Sequence, residues 1–191
     1  GYGDVSDVTR MLYLEPDMAA YMQARPLAHP PGSVWNYSSG TTVMLSHIWQ
    51  SAAGKQALEL PYTRLFAPLG MTNTGFLPRE ALWARVAPTE NSDEGMLRGR
   101  VHDPTSRRMD GVAGHAGLFT TAEDLARYAR MILNGGELDG VRILGRKSVE
   151  LMHTARADMD EDQVPDFGLG FAVIGDLAKS GELGSIGAYA W

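Results

Sequence analysis

One phenol and two hydroxyls, on Tyr37, Ser38 and Ser39, sit where an extended segment runs into a helix. Pro31 and Gly32 turn the chain, Trp35 to Tyr37 reads as extended, and a helix opens near Ser38. The first turn of a helix presents backbone N–H groups that have no intrahelical partner, so charge developing on an acyl group can be stabilised there. A phenol ionises near pH 10 when isolated (about 10) but sooner beside a cation and a helix N-terminus, where it can shuttle protons. The same residues also make an ordinary helix start, with Tyr37 bonded to backbone and Ser38 or Ser39 as the N-cap. Taken alone, the stretch leaves both readings open.

Acyl chemistry by a serine needs a nucleophile and a base beside it. No G-x-S-x-G pentapeptide occurs, so a strand-turn-helix nucleophile elbow is excluded. The lysines are Lys55, Lys147 and Lys179, and the residues three before them are Ala52, Leu144 and Asp176, so no S-x-x-K occurs either. The absence of cysteine excludes thiolate nucleophiles, disulfides and Cys-ligated zinc. Read from these residues, the chain supplies at most auxiliary catalytic groups.

His102, Asp103 and His115 could serve as nitrogen and oxygen ligands, but neither H-x-x-x-H nor H-E-x-x-H spacing occurs. Hydrogen bonds that steady turns are the better reading, and no metal is expected. Asp158, Asp160 and Asp162 imitate the start of a calcium loop. Gln163 then stands where the loop needs glycine and Leu169 where it needs a bidentate glutamate, so a solvated acidic loop is expected. No glycine-rich phosphate loop occurs and no cofactor is called for.

The elements that would position these groups follow from periodicity. Asp17 to Gln23 has helical spacing. A strong helix is predicted from Ser39 to Ala53, with a wide apolar stripe of Val43, Met44, Leu45, Ile48, Trp49 and Ala52, and Gly54 as its stop. A second runs from Lys55 to Phe66 and ends in the hook Leu65-Phe66-Ala67-Pro68-Leu69-Gly70-Met71. Residues 72–100 read as irregular, with Asn91 to Gly95 an exposed turn; Arg98 to His102 reads as a short strand closed by Asp103-Pro104. Gly111, Gly114 and Gly117 imply tight turns or close backbone approach before a short buried strand. The next helix starts cleanly, with Thr121 as N-cap and Asp124 as its box partner, and buries Ala122, Leu125, Ala126, Ala129, Ile132 and Leu133. Asn134-Gly135-Gly136 ends it. Val141 to Leu144 reads as extended, Arg146 to His153 as a brief helix, and Phe167 to Ile174 and Gly187 to Trp191 as strands.

The whole chain narrows the class further. With 191 residues, 44% hydrophobic and 21% charged, it suits one soluble globular domain or part of a larger one. A net charge of −6 repels polyanions, so no nucleic-acid partner is expected. No apolar run is long enough for a transmembrane segment. The first residues are Gly-Tyr-Gly-Asp and the last run, Ala188 to Trp191, is strand-like without a closing turn, so the chain reads as the interior of a longer protein. The compartment stays open between periplasmic or extracellular and cytoplasmic.

Three landmarks in order carry a resemblance: Pro31-Gly32 with Trp35-x-Tyr37-Ser38-Ser39-Gly40, then Leu65-Phe66-x-Pro68-Leu69-Gly70-Met71, then Ala113-Gly114-x-x-Gly117-Leu118-x-x-Thr121-Ala122-x-Asp124-Leu125-Ala126. In this order they resemble the serine β-lactamase-like superfamily, and in particular class C β-lactamases, their esterase relatives and the 6-aminohexanoate-oligomer hydrolases. The resemblance implies a mixed α/β fold, with a largely helical subdomain over about residues 1–135 and the start of an antiparallel sheet over about residues 136–191. It implies no cofactor, a small ester, amide or β-lactam as substrate, and a nucleophilic Ser and its Lys upstream of Gly1. Tyr37 takes the Tyr of the family's Y-x-N motif and assists proton transfer. Ser39 falls where class C β-lactamases carry Asn, and a hydroxyl cannot reproduce the paired donor and acceptor of an amide. Trp191 matches the Trp of a W-G-G motif that replaces K-T-G in the esterase-like branch, which removes a cation that would hold a substrate carboxylate. Both departures imply an esterase or amidase rather than a β-lactamase. A β-lactamase or penicillin-binding D-Ala-D-Ala peptidase, and a non-catalytic binding or scaffold member of the same fold, are the alternatives. His115 is expected to fix the glycine-rich turn and border the substrate cleft.

Overall fold

The computed structural model describes residues 10–11, 13–31, 38–54, 57–93, 95–154, 166–177 and 183–190. The chain divides into two compact units, residues 1–25 with 38–128 and residues 26–37 with 129–191.

In the first unit, α1 (Met18–Gln23) starts at Asp17, whose carboxylate accepts from the Ala20 amide at 2.9 Å. It packs on α2 (Ser39–Ala53). Contact is close because Gly40 carries no side chain: a Cβ there would lie 2.4 Å from the terminal methyl of Met22. The expected span of α2 and its stop at Gly54, in the left-handed region at φ +57°, agree with the structure. The expected stripe does not. Gly40 and Val43 are buried, while Leu45, Ile48 and Trp49 stay exposed. Trp49 Nε1 donates to the Ala57 carbonyl at 3.1 Å, which ties the end of α2 to the next segment.

The second helix expected from Lys55 to Phe66 is present only in its later half: Lys55 and Gln56 lie outside the described residues, residues 57–59 turn, and residues 60–66 are helical, Tyr62–Phe66 as a π-helix leading into the hook. Phe66, Leu69 and Met71 are buried, in agreement with a packing role, and the Arg127 guanidinium donates to the Leu69 carbonyl. β1 (Gly75–Phe76), a 3-10 helix (Glu80–Arg85) and a tight hairpin of β2 (Asn91–Ser92) with β3 (Gly95–Met96) follow. The strand expected at Arg98 to His102 is absent. Asp103-Pro104 is instead a helix start: Asp103 caps α3 (Pro104–Arg108) and Pro104 fills its first turn, where no N–H is required. β4 (Leu118–Phe119) pairs antiparallel with β1, Gly75 opposite Phe119. Leu118 is exposed, so this strand is less buried than expected.

α4 (Ala122–Leu133) has the expected span, and Thr121 Oγ1 accepts from the Asp124 amide at 3.2 Å as its cap. Its inward face agrees only in part: Ile132 is buried as expected, Asp124 and Met131 are buried as well, and Leu125 and Leu133 are exposed. Asp124 does not close a capping box. Its carboxylate reaches across to the Asn73 amide and the Thr74 hydroxyl, both at 2.8 Å.

In the second unit, the end of α4 is a Schellman motif. The Gly136 amide donates to Met131 and the Gly135 amide to Ile132, both at 2.9 Å. β5 (Glu137–Leu138) and β6 (Val141–Arg142) form a hairpin around Asp139-Gly140, both at positive φ, as a two-residue primed turn requires. α5 (Arg146–Met152) buries Val149, as expected. The stretch expected as one strand from Phe167 is a hairpin, β7 (Asp166–Phe167) with β8 (Ala172–Val173). β9 (Tyr189–Ala190) adds to β8, Val173 opposite Tyr189. The Tyr189 ring stacks on His153 at 4.9 Å and 9° and meets Phe171 edge-on at 5.2 Å.

Candidate active site

Ser38 is the extended N-cap of α2 (φ −140°, ψ 117°); its side chain makes no cap bond, and its carbonyl accepts from the Thr41 amide at 3.1 Å. Ser39 is the first helical residue and is half-buried. Thr42 and Ser46 follow it at helical spacings of three and seven, so the three hydroxyl residues share one face. The glycine-rich turn lies against this face. A Cβ on Gly114 would come within 3.6 Å of Ser46 Oγ and 3.7 Å of the Thr42 methyl.

The turn is held by several local bonds. Ser106, fully buried, donates its hydroxyl to the Ala116 carbonyl at 3.0 Å and its backbone carbonyl accepts from the Gly111 amide at 2.8 Å. Asp110, Gly111 and Gly117 take positive φ. At Gly117 a Cβ would also lie 2.4 Å from the Gly111 carbonyl oxygen, so this position admits only glycine. Next to it, His115 Nε2 lies 3.0 Å from Asp103 Oδ1, and the same oxygen accepts from the Ser106 amide at 2.7 Å. The expectation that His115 steadies the turn therefore has a named partner. Burial pushes the Asp103 carboxyl upward, but the Ser106 amide bond, the His115 bond and charge, and the His102 charge together outweigh it and hold the group below its ordinary range. An ionised Asp103 accepts only, so His115 Nε2 is the donor of the pair.

His115 also lines a cavity of about 970 Å³, with Tyr62, Thr74, Phe76 and Arg100 among its other walls. Sequence reasoning singled out neither Ser106 nor the cavity's arginines. Asp103-Pro104 was the readable signal for the first, since an Asp before Pro suits an N-cap and N1 pair. Of the four residues predicted for the site, Ser39 and His115 lie in the first unit, on α2 and on the turn packed against it. Tyr37 and Trp191 lie outside the described residues.

Helices combined with short antiparallel sheets define a mixed α/β protein of the β-lactamase/DD-peptidase fold. The chain belongs to the β-lactamase family, whose model, described as Beta-lactamase, matches residues 2–191. Protein Rv1367c of Mycobacterium tuberculosis strain H37Rv is 34% identical over 189 residues, covering 90% of this chain and 46% of its own. A protein of Escherichia coli K12 named "Putative D-alanyl-D-alanine carboxypeptidase" is 30% identical, covering 84% of this chain and 40% of its own. Among solved structures, a penicillin binding protein from Bacillus halodurans superposes with a TM-score of 0.60 at 18% identity, over 86% of this chain and 48% of that one. The chain thus spans less than half the length of these relatives.

Proposed function

We propose that this chain forms the Tyr37-bearing part of a serine hydrolase that cleaves esters or amides through an acyl-enzyme. The observation that carries the reading is the packing of the glycine-rich turn on the hydroxyl face of α2. It joins two of the sequence landmarks of the family in one unit, beside a helix start that Ser38 does not cap with its side chain.

In this reading a serine Oγ from an S-x-x-K segment, which these 191 residues do not contain, attacks the substrate carbonyl. Tyr37 passes the serine proton to the leaving oxygen or nitrogen as its bond to carbon breaks, and then takes a proton from water as the acyl group is released. Ser39 supplies a hydroxyl at the same helix start, Trp191 walls the substrate, and His115 borders it.

The test compares the chain alone with a polypeptide in which the S-x-x-K segment precedes Gly1, using a p-nitrophenyl ester. The longer polypeptide turns over, the chain alone does not, and Tyr37→Phe lowers kcat by about 10²-fold or more. Saturable hydrolysis by the 191 residues alone, or full kcat in Tyr37→Phe, overturns the assignment. The printed name of the Escherichia coli relative favours a second reading, a D-Ala-D-Ala peptidase, for which covalent labelling by a fluorescent penicillin is the discriminating observation.

A further inference from the structure

The cavity that His115 borders has a volume of about 970 Å³, within the roughly 300–1,000 Å³ of small-molecule sites. The residues that line it belong to the first unit. Phe76, Leu77, Leu82, Val86 and Phe119 give it apolar surface. Tyr62 adds an aromatic wall that is already fixed. Its ring meets Phe66 edge-on at 5.3 Å, and its hydroxyl oxygen accepts from the Phe76 amide at 2.8 Å. Gly75 makes room for that hydroxyl, because a Cβ there would lie 2.8 Å from it. Walls held before a ligand arrives cost little to order when it binds.

A polar anchor stands in this wall. The His115 side chain is 24% exposed, so a ligand can reach it while its surroundings hold it. Nε2 is committed to Asp103 Oδ1 at 3.0 Å, and the Ser106 amide fixes the same carboxylate oxygen at 2.7 Å. With Nε2 donating, the neutral ring carries its lone pair on Nδ1. Among the described residues none donates to Nδ1. A carboxylate behind one ring nitrogen fixes both the tautomer and the orientation of the ring, so the acceptor is set before a ligand arrives. A hydroxyl is the smallest neutral group that donates strongly to such a lone pair.

We propose that this cavity binds an apolar molecule bearing a hydroxyl group, with the O–H donating to His115 Nδ1 and the hydrocarbon part against the aromatic walls. Asp103 acts through the ring, as a positioning residue that engages Nε2 and leaves Nδ1 to the ligand. The proposal goes beyond the hydrolase reading, because binding here needs no nucleophile and is measured without turnover.

Titration of the 191-residue chain with phenol and with anisole, its methyl ether, provides the test at about pH 8, where an ordinary imidazole is neutral. The two probes share a ring, and only phenol can donate. Phenol is expected to saturate one site below about 10 mM and to bind tighter than anisole by about fivefold or more. In long-range proton–nitrogen spectra the His115 Nδ1 resonance is expected to be that of an unprotonated nitrogen, and to shift further with phenol than with anisole. His115→Gln separates the anchor from the turn: its amide stands where Nε2 does and still donates to Asp103, but nothing replaces Nδ1. Phenol should then bind no better than anisole, with the anisole affinity and the urea midpoint kept. Equal affinity for the two probes in the wild type overturns the proposal, as does no phenol binding up to about 10 mM. A protonated Nδ1, or a preference for phenol that survives in His115→Gln, overturns it as well. The wild-type spectra and affinities decide the matter even where the variant does not fold.

Discussion

Asp103 Oδ1 serves two donors at once, the Ser106 amide that begins α3 and the His115 ring beside the glycine-rich turn. Because its folded-state pKa lies below the ordinary value of 3.8, the unfolded chain binds the proton first as pH falls. The stability this group contributes is therefore complete above that value and is lost as pH drops through the lower, folded one. Urea midpoints between about pH 5 and pH 2 should fall more steeply in the wild type than in Asp103→Asn, which no longer titrates. The glycines nearby separate by physical role. Gly117→Ala meets both a left-handed backbone and the Gly111 carbonyl, and should cost about 1–3 kcal/mol or more in urea unfolding. Gly114→Ala meets only ordinary contacts at 3.6 and 3.7 Å and should stay within about 0.5 kcal/mol.

At the scale of elements, α4 is the clearest case of what sequence could and could not supply. Thr121 as cap, the span to Leu133 and the Asn134-Gly135-Gly136 stop were legible, because capping and termination are local. The face it buries was not, because Asp124 turns inward to satisfy Asn73 and Thr74, some fifty positions away in sequence. A carboxylate at that spacing reads as a box partner until the distant donors are known. Asp124→Ala leaves a buried hydroxyl and an amide without their acceptor and should destabilise by about 2–3 kcal/mol, measurable by chemical denaturation. The two-residue strands were harder still. The Asp139-Gly140 turn was a readable signal, yet β7 and β8 looked like one strand, since Phe167 to Ile174 is apolar across the Gly168 to Phe171 bend. For the site, the glycine-rich turn is legible from its spacing; its anchoring through Asp103 and Ser106 depends on a helix begun by Asp103-Pro104, a dipeptide that equally suits the end of a strand.

For the whole molecule, the β-lactamase fold is shared with proteins about twice as long, and much apolar surface of this chain is open. Leu45 and Ile48 on α2 are 61% and 58% exposed, whereas Leu69 in the hook is 1% exposed. Replacing Leu45 and Ile48 together by Gln should change the stability of this chain by no more than about 1 kcal/mol, while Leu69→Ala should cost about 2–5 kcal/mol. Thermal or urea unfolding of the three proteins checks both expectations. The three-stranded sheet of the second unit has a different kind of vulnerability. Each of its ladders has two residue pairs, the second extended by the Ile174 amide to Ala188 and the Gly187 amide to Ile174, both at 2.8 Å, so few backbone bonds fix each alignment. A slip of β9 by a single position would turn Tyr189 to the opposite face of the sheet, away from His153 and Phe171. Those two rings therefore act as a register lock: they make alignment of the last strand a matter of side-chain fit.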